Sequence, residues 1–489
     1  MFLAELLIVI IVAIISLPLW WYYIYYTYRN HLKIFPSTPQ FPILGITYKI
    51  RNNVDIYNVI KSQVETMGKN VFAMIGPIPT LCTTDPKIFS LILSSPKHIN
   101  KPFMFSATLN NVVGNSLLVV NGDEWRRQRK VLNPTLDYKN ILDNNKIFNK
   151  HADGLINKFK DEIDNESTEV VHILEDFTFD QTVETILGET GPEIDKRKTA
   201  RCIKTLMKIS LKKMYLPLTY FTITERLTKI YWKEREQLKI LHDNLRGSIE
   251  RKRKEYNNNL NTQKRPTYMD ILLGDKNNKE KDILRQLTMV FTAAFDASAI
   301  SLSYMLYYLA KYPEIQQKAY EEVHSILGED IHQTITNQQM LEMKYLNLVM
   351  KESMRLGPAI PLYTRILEED VIYEDTTLPK GLMVLMVLFM MHVDPELYPE
   401  PEKFIPERFL PENLNPNRYS YAPFNAGIRN CMGQLYAMTS MKIALAKLLL
   451  NYEFVDVQHK ICYTVEITLQ SKTGVKVGIH KRNHKCNKN

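Results

Sequence analysis

Between Pro423 and Gly433 the chain reads PFNAGIRNCMG, and the long apolar run QLYAMTSMKIALAKLLL follows without a break. No other stretch constrains the fold as tightly. The run is helical in pattern and has to be buried, while Gly427 and Gly433 let the backbone come close to a flat ligand beside Cys431. A sulfur just ahead of a helix N-terminus gains from N–H groups that favour the thiolate, which primes it as a nucleophile or a metal ligand. The plainer reading of a lone cysteine is a buried structural residue near a turn, and the loop by itself leaves both open.

A second constraint is FTAAFDASA, Phe291 to Ala299, which places one carboxylate, Asp296, in a run that otherwise reads as buried helix. From about Asp282 to Tyr312 the chain has no proline, and Leu, Met, Phe, Ala and Tyr recur at helical spacing. A buried carboxylate is unfavourable unless it is paired or working. Helical periodicity dominates from Asp85 onward, with Asp85-Pro86 and Ser95-Pro96 as capping signals. Strand-like pieces occur in VFAMIGPIPTLCTT, in VIYEDTTLPKGLMVLMVLF and in YTVEITLQSKTGVKVGIH. The expected fold is therefore mainly α with small β-sheets, as one large domain. A chain of 489 residues, 45% hydrophobic and 24% charged, can bury such a core, and no repeat or low-complexity linker divides it.

The N-terminus is different, because Leu6 to Tyr26 carries no charged side chain and is long enough to span a bilayer as one transmembrane helix. No basic n-region precedes it and no A-x-A-like exit follows, so an anchor is preferred to a cleaved signal. Trp20, Trp21 and the tyrosines after them match an interfacial aromatic belt, and Arg29, His31 and Lys33 put the remainder in the cytosol. The expected organisation is an anchor at 1–28, a stiff hinge at 29–45 with Pro36, Pro39 and Pro42, and a catalytic domain at 46–489. Five cysteines without a C-x-x-C pair suggest neither disulfides nor a zinc knuckle and fit a reducing compartment. A net charge of +9 favours a membrane surface and an acidic protein partner. Lys and Arg are dispersed, which argues against nucleic acid. The stretch MYLPLTYF, Met214 to Phe221, reads as core packing or as a lip dipping into the membrane.

The full spacing at the cysteine is F-x-x-G-x-R-x-C-x-G: Phe424, Gly427, Arg429, Cys431 and Gly433, with Ala437 one turn later. This resembles the haem-binding loop of cytochromes P450. Companion motifs occur in that family's order: Trp125 and Arg129 as W-x-x-x-R, the Asp296 helix, Glu352 and Arg355 as E-x-x-R, and Arg408 in PEPEKFIPERF. The resemblance spans nearly the whole chain. It looks most like the microsomal branch containing the fatty-acid ω-hydroxylases, with an insect-type member as one reading. It implies a cytochrome P450-like fold behind one N-terminal transmembrane helix, and a haem b whose iron is ligated by Cys431. In the same terms Phe424 packs beside the sulfur, and Trp125, Arg129, Arg365 and Arg429 serve the propionates. Glu352, Arg355 and Arg408 form a structural triad, and Asp296 with Ser298 delivers protons. The implied reaction is monooxygenation of a hydrophobic substrate by O2. Its electrons come from NADPH through NADPH–cytochrome P450 reductase, with cytochrome b5 as a further donor, at the endoplasmic reticulum membrane.

The chain departs from that family's pattern at the helix acid, where the aligned residues are Ala293, Ala294, Phe295, Asp296, Ala297 and Ser298. The threonine expected after the acid is Ala297. Ser298 is turned by about 100° from it, and Ser301 lies one turn beyond on the same side. Looser coupling, a hydroxyl from Ser298, Ser301 or the substrate, or an already oxygenated substrate each answer that loss. The last corresponds to a peroxide isomerase or dehydratase of the same fold, and a non-catalytic haem- or lipid-binding protein is the reading from a different class. Many ω-hydroxylases attach haem through a glutamate at the place of Ala293, which cannot form an ester, so the haem is expected to be non-covalent.

Overall fold

The run around Asp296 forms the central helix of the protein, Glu280–Lys311, 72% of whose apolar window is buried. Glu280 and Asp282 occupy its first turn and Lys311 its last, matching the helix dipole. Pro313, which cannot continue a helix, opens the next one, Pro313–Leu327. Every residue from Ser298 to Ala310 is buried, so this helix is the axis of the core. The computed structural model describes residues 2–188, 194–216, 219, 222–258, 266–276, 278–328, 330 and 333–482.

The helix Gln434–Asn451 packs into the same apolar cluster as the central helix, with Ile443 to Leu450 buried without interruption. Strands form in all three expected segments, and also at Leu362–Ile366, which lies outside them. Asn70–Ile75 and Ile78–Thr83 make an antiparallel hairpin; Met383–Val387 pairs parallel to the second strand, and Leu362–Ile366 closes this four-stranded sheet. Tyr463–Glu466 and Thr468–Ser471 form a second hairpin, which lies near the central helix. The architecture is mainly helical with small sheets.

Of the two capping signals, Asp85-Pro86 behaves as expected: Asp85 accepts from the Lys87 N–H and Pro86 opens the helix Pro86–Leu93. Ser95-Pro96 does not. Ser95 accepts from the Lys97 N–H in a turn, and the next helix begins only at Phe103, after Pro102. Pro102 disfavours helical backbone at Lys101, and the next helix starts only after it.

The N-terminal helix, Phe2–His31, runs three residues past the expected anchor boundary with Pro18 inside it. Among the described residues, Glu280–Lys311 is the one helix long and apolar enough to cross a membrane, and it is core. The proline-rich segment is not free-standing: Ser37 bridges Phe72 and Gly45 bridges Ile75. Gly45 has φ +58°, and a side chain there would meet the Met74 carbonyl at 2.0 Å, so only glycine fits. In the 214–221 stretch, Tyr215 and Thr219 are buried, which favours packing, while residues 217, 218, 220 and 221 lie outside the described ones.

Candidate active site

The Cys431 loop is held from several directions. The Cys431 N–H donates to the Phe424 carbonyl at 2.8 Å, and Asn425 turns the chain at φ +61°. Tyr363, from the edge strand Leu362–Ile366, staples the loop base: its hydroxyl donates to the Ala422 carbonyl at 2.9 Å and accepts from the Asn425 N–H at 3.0 Å. Arg129 donates to the carbonyl and side-chain oxygens of Asn430 at 2.7 and 2.9 Å, next to the cysteine. Gly427 answers to a different need from the one expected. With φ +71°, its Cα faces the Leu93 carbonyl, which a side chain would meet at 1.8 Å, so protein backbone and not a ligand requires the glycine. At Gly433 an added side chain would meet only the Cys431 sulfur, at 3.8 Å, and that side of the loop is open.

Cys431 is exposed, although protein crowds its sulfur on the other sides. Burial pushes the thiol pKa up, while the Gly433 N–H and the Arg129 charge pull it down. Ala293, in the middle of the central helix, is also exposed.

Beside the loop lies a set of cations that have no carboxylate partner among the described residues. Arg429 is 8% exposed, donates to the carbonyls of Ile99 and Val120, and lies over the Trp125 ring 5.2 Å from its centroid. Arg365 is 2% exposed; one terminal nitrogen donates to its neighbour's carbonyl, that of Thr364, and the other has no partner. Burial lowers both guanidinium pKa values, to about 9 for Arg429, with help from Arg365, and to about 10 for Arg365. Lys101 completes the set, lowered by burial and by both arginines. Sequence reasoning missed Lys101 and Tyr363, since a single Lys or Tyr outside a motif carries no signal.

On the other flank, Glu352 and Arg355 are both 0% exposed and paired at 2.7 and 2.8 Å. Arg408 approaches Glu352 at 3.4 Å, and the Ile405 N–H donates to it at 2.9 Å. Arg355 also donates to the carbonyls of His392, Pro401 and Lys403. The three residues singled out from sequence thus meet.

Asp296 sits at the end of a five-residue π turn, Thr292–Asp296, inside the central helix. Such a turn disturbs the regular backbone ladder, and the Phe295 carbonyl accepts from the Thr178 hydroxyl at 3.0 Å. The Asp296 carboxylate turns to the C-terminal hairpin: Thr468 donates at 2.7 Å and Gln470 at 3.1 and 3.2 Å. It lines a small cavity of mixed character with Ile203, Met207 and Phe295 as well as Lys204, Glu466 and Gln470. Burial raises its pKa, and Lys204 and the two donors only partly offset that. Ser298 is 7% exposed. The Ser301 hydroxyl is taken by the Ala297 carbonyl at 2.9 Å.

The cytochrome P450 family profile matches residues 36–475. Cytochrome P450 4d2 of Drosophila melanogaster is 26% identical over 97% of this chain and 99% of its own. Cytochrome P450 4c21 of Blattella germanica is 27% identical over 87% and 88%, and cytochrome P450 4V2 of Homo sapiens is 27% identical over 84% and 82%. With a profile match over most of its length and an open cysteine beside a cluster of buried cations, the chain belongs to the cytochrome P450 family of haem-thiolate monooxygenases.

Proposed function

We infer that this chain is a membrane-anchored monooxygenase that holds haem b without a covalent bond and oxygenates a hydrophobic substrate of the fatty-acyl, terpenoid or hormone, or xenobiotic class. The observation that carries the reading is Arg365. It is a buried guanidinium with an unpartnered nitrogen, in a cluster with Arg429 and Lys101 that has no carboxylate partner among the described residues. Buried cations in this state suit carboxylates brought in by a ligand. The haem propionates are such carboxylates, and the residues fit the group. Cys431 would supply the thiolate ligand, with Phe424 beside it; Arg365, Arg429, Lys101, Arg129 and Trp125 would hold the propionates. When bound, haem supplies reductive O2 activation and C–H oxygenation.

The chain's own part is to bind, to exclude water and to manage a proton. Burial favours the protonated form of Asp296, and its Thr468 and Gln470 partners hold the carboxyl in one orientation. Ser298 is the hydroxyl proposed to stand next to it in the proton path. Electrons come from NADPH through the reductase or cytochrome b5 on the cytosolic side of the endoplasmic reticulum, a partnership that the +9 charge supports.

The test is a reduced carbon-monoxide difference spectrum followed by turnover with reductase and NADPH on a panel of lipids and terpenoids. A thiolate-type spectrum and NADPH-dependent oxygenation are expected, and a Cys431→Ser protein that kept this spectrum would overturn the ligand assignment. Ala297, a methyl where a hydroxyl was expected, favours a second reading as a peroxide isomerase or dehydratase. Turnover of a hydroperoxide without O2 or reductase would select it.

A further inference from the structure

Trp20 and Trp21 are neighbours in the N-terminal helix with opposite fates, 50% and 1% exposed. The Trp21 indole N–H donates at 2.9 Å to the carbonyl of Gly76, in the turn joining Asn70–Ile75 to Ile78–Thr83. Its ring stacks on Tyr25 at 5.4 Å, and Tyr25 reaches Phe72 of the same hairpin at 5.9 Å. Further along, the Tyr28 hydroxyl donates to the Lys380 carbonyl at 3.1 Å and lies 2.7 Å from where a side chain on Gly381 would begin. Leu32 is fully buried, and Thr376 donates to the His31 carbonyl at 3.2 Å. Positions 21, 25, 28 and 32 form one helical stripe.

Among the described side chains ahead of Trp20, Ile11, Val12, Ile15 and Leu19 point outward, at 47, 57, 57 and 63% exposed. From Phe2 to Leu19 the helix is about 27 Å long, with Glu5 as its one charge near the far end, against a hydrocarbon thickness of about 30 Å. From Trp21 onward one face is already filled by protein. Close to the clamp in sequence, Ile34 and Phe41 are 64 and 55% exposed, and on the hairpin that receives the helix end Ile372 is 67% exposed. Exposed apolar side chains next to a lipid-seeking helix suit an interfacial contact.

We propose that the N-terminal helix is a rigid arm built into the catalytic domain. Trp21 and its stripe clamp the helix to the sheet, the helix leaves the bilayer at Trp20–Trp21, and the sheet end of the domain is held against the lipid surface. The lipid half of this inference rests on the membrane anchoring proposed above; the clamp does not. The aromatic residues after Trp20 are then docking residues on one side and surface residues on the other, and the domain does not swivel on its anchor.

The adjacent tryptophans supply a matched test in the full-length, haem-loaded protein in lipid nanodiscs. Trp21→Ala lowers the unfolding midpoint by several degrees, whereas Trp20→Ala, an exposed site, stays within about one degree. Equal midpoints overturn the clamp. Should Trp21→Ala fail to fold, Trp21→Phe against Trp20→Phe decides, because the first still loses the Gly76 bond and the second loses none shown for Trp20. The bilayer exit is tested with a membrane-impermeant maleimide on sealed microsomes, relative to the parent protein. Tyr26→Cys labels and Val12→Cys does not; protection of Tyr26→Cys overturns the exit. Release of the protein by alkaline carbonate overturns membrane anchoring itself, and with it the lipid half, while the tryptophan pair still judges the clamp.

Discussion

Two carboxylates, fully buried Glu352 and half-buried Asp296, anchor two differently built parts of this molecule. Glu352 is ringed by charge: Arg355 at 2.7 and 2.8 Å, Arg408 at 3.4 Å, and a backbone N–H. Asp296 is held by neutral donors, a threonine hydroxyl and a glutamine amide, with Lys204 acting only through space. A compensated carboxylate locks structure, whereas one with weak compensation stays free to change protonation, which is what chemistry needs. The acid response of the two parts also has opposite sign. On the Glu352 side, His392 is buried against Arg355 and its pKa is pushed down to about 3. Its contribution to stability is present above its ordinary value of 6.5 and is lost as pH falls from there toward 3. Asp296 is raised above 3.8, so its contribution is full below that value and is lost as pH rises from it.

The largest way to break the comparison is Glu352→Ala, which leaves two arginines buried without their anion and lowers stability by about 3–5 kcal/mol. Urea unfolding checks this, and an unchanged midpoint would show that the triad is not a lock. Asp296→Asn keeps the shape and most of the hydrogen bonding, so the unfolding midpoint stays near wild type. The rate of product formation falls by about 10²-fold if the acid moves a proton; steady-state turnover with reductase decides. The same variant removes a group that destabilises at higher pH, and it is expected to gain on wild type in thermal melts as pH rises above the ordinary carboxyl value of 3.8.

His392→Asn sharpens the other half: the wild-type stability loss below pH 6.5, of up to about 1.4 kcal/mol per pH unit, flattens in the variant. Last comes Ala297→Thr, which restores one hydroxyl. A single hydrogen bond is worth about 1 kcal/mol, so the ratio of product to NADPH consumed rises by up to about fivefold. Already complete coupling in the wild type would remove the reason to expect any change. Extraction in acidified organic solvent is expected to strip the haem, because Ala293 offers no ester.

Much of this was legible in the chain. The central helix, the helix after Cys431 and three of the strand segments follow from periodicity, because burial on one face of a regular element leaves a repeating mark. The Glu352–Arg355 pair was legible from its helical spacing, whereas Arg408's place in the triad and the role of the Cys431 loop were legible only through the family resemblance. Ser95-Pro96 misled, since a cap signal is local while the next helix starts only after Pro102. Trp21 misled for a different reason: an aromatic residue at the end of an apolar run suits a lipid boundary and a protein groove equally well.

What the amino-acid order determined by itself is whatever depends on neighbours along the chain: helices, turns, the cysteine beside its glycines, a carboxylate in an apolar run. Tertiary structure alone decided what each of these groups faces. It matched Asp296 with Thr468 and Gln470, 172 and 174 residues away, gathered Lys101, Arg365 and Arg429 into one cation cluster, and buried Trp21 while leaving Trp20 outside. Such partners are chosen by packing across long loops. The free energy of a buried charge or ring depends on what surrounds it in space, and no spacing along the chain records that.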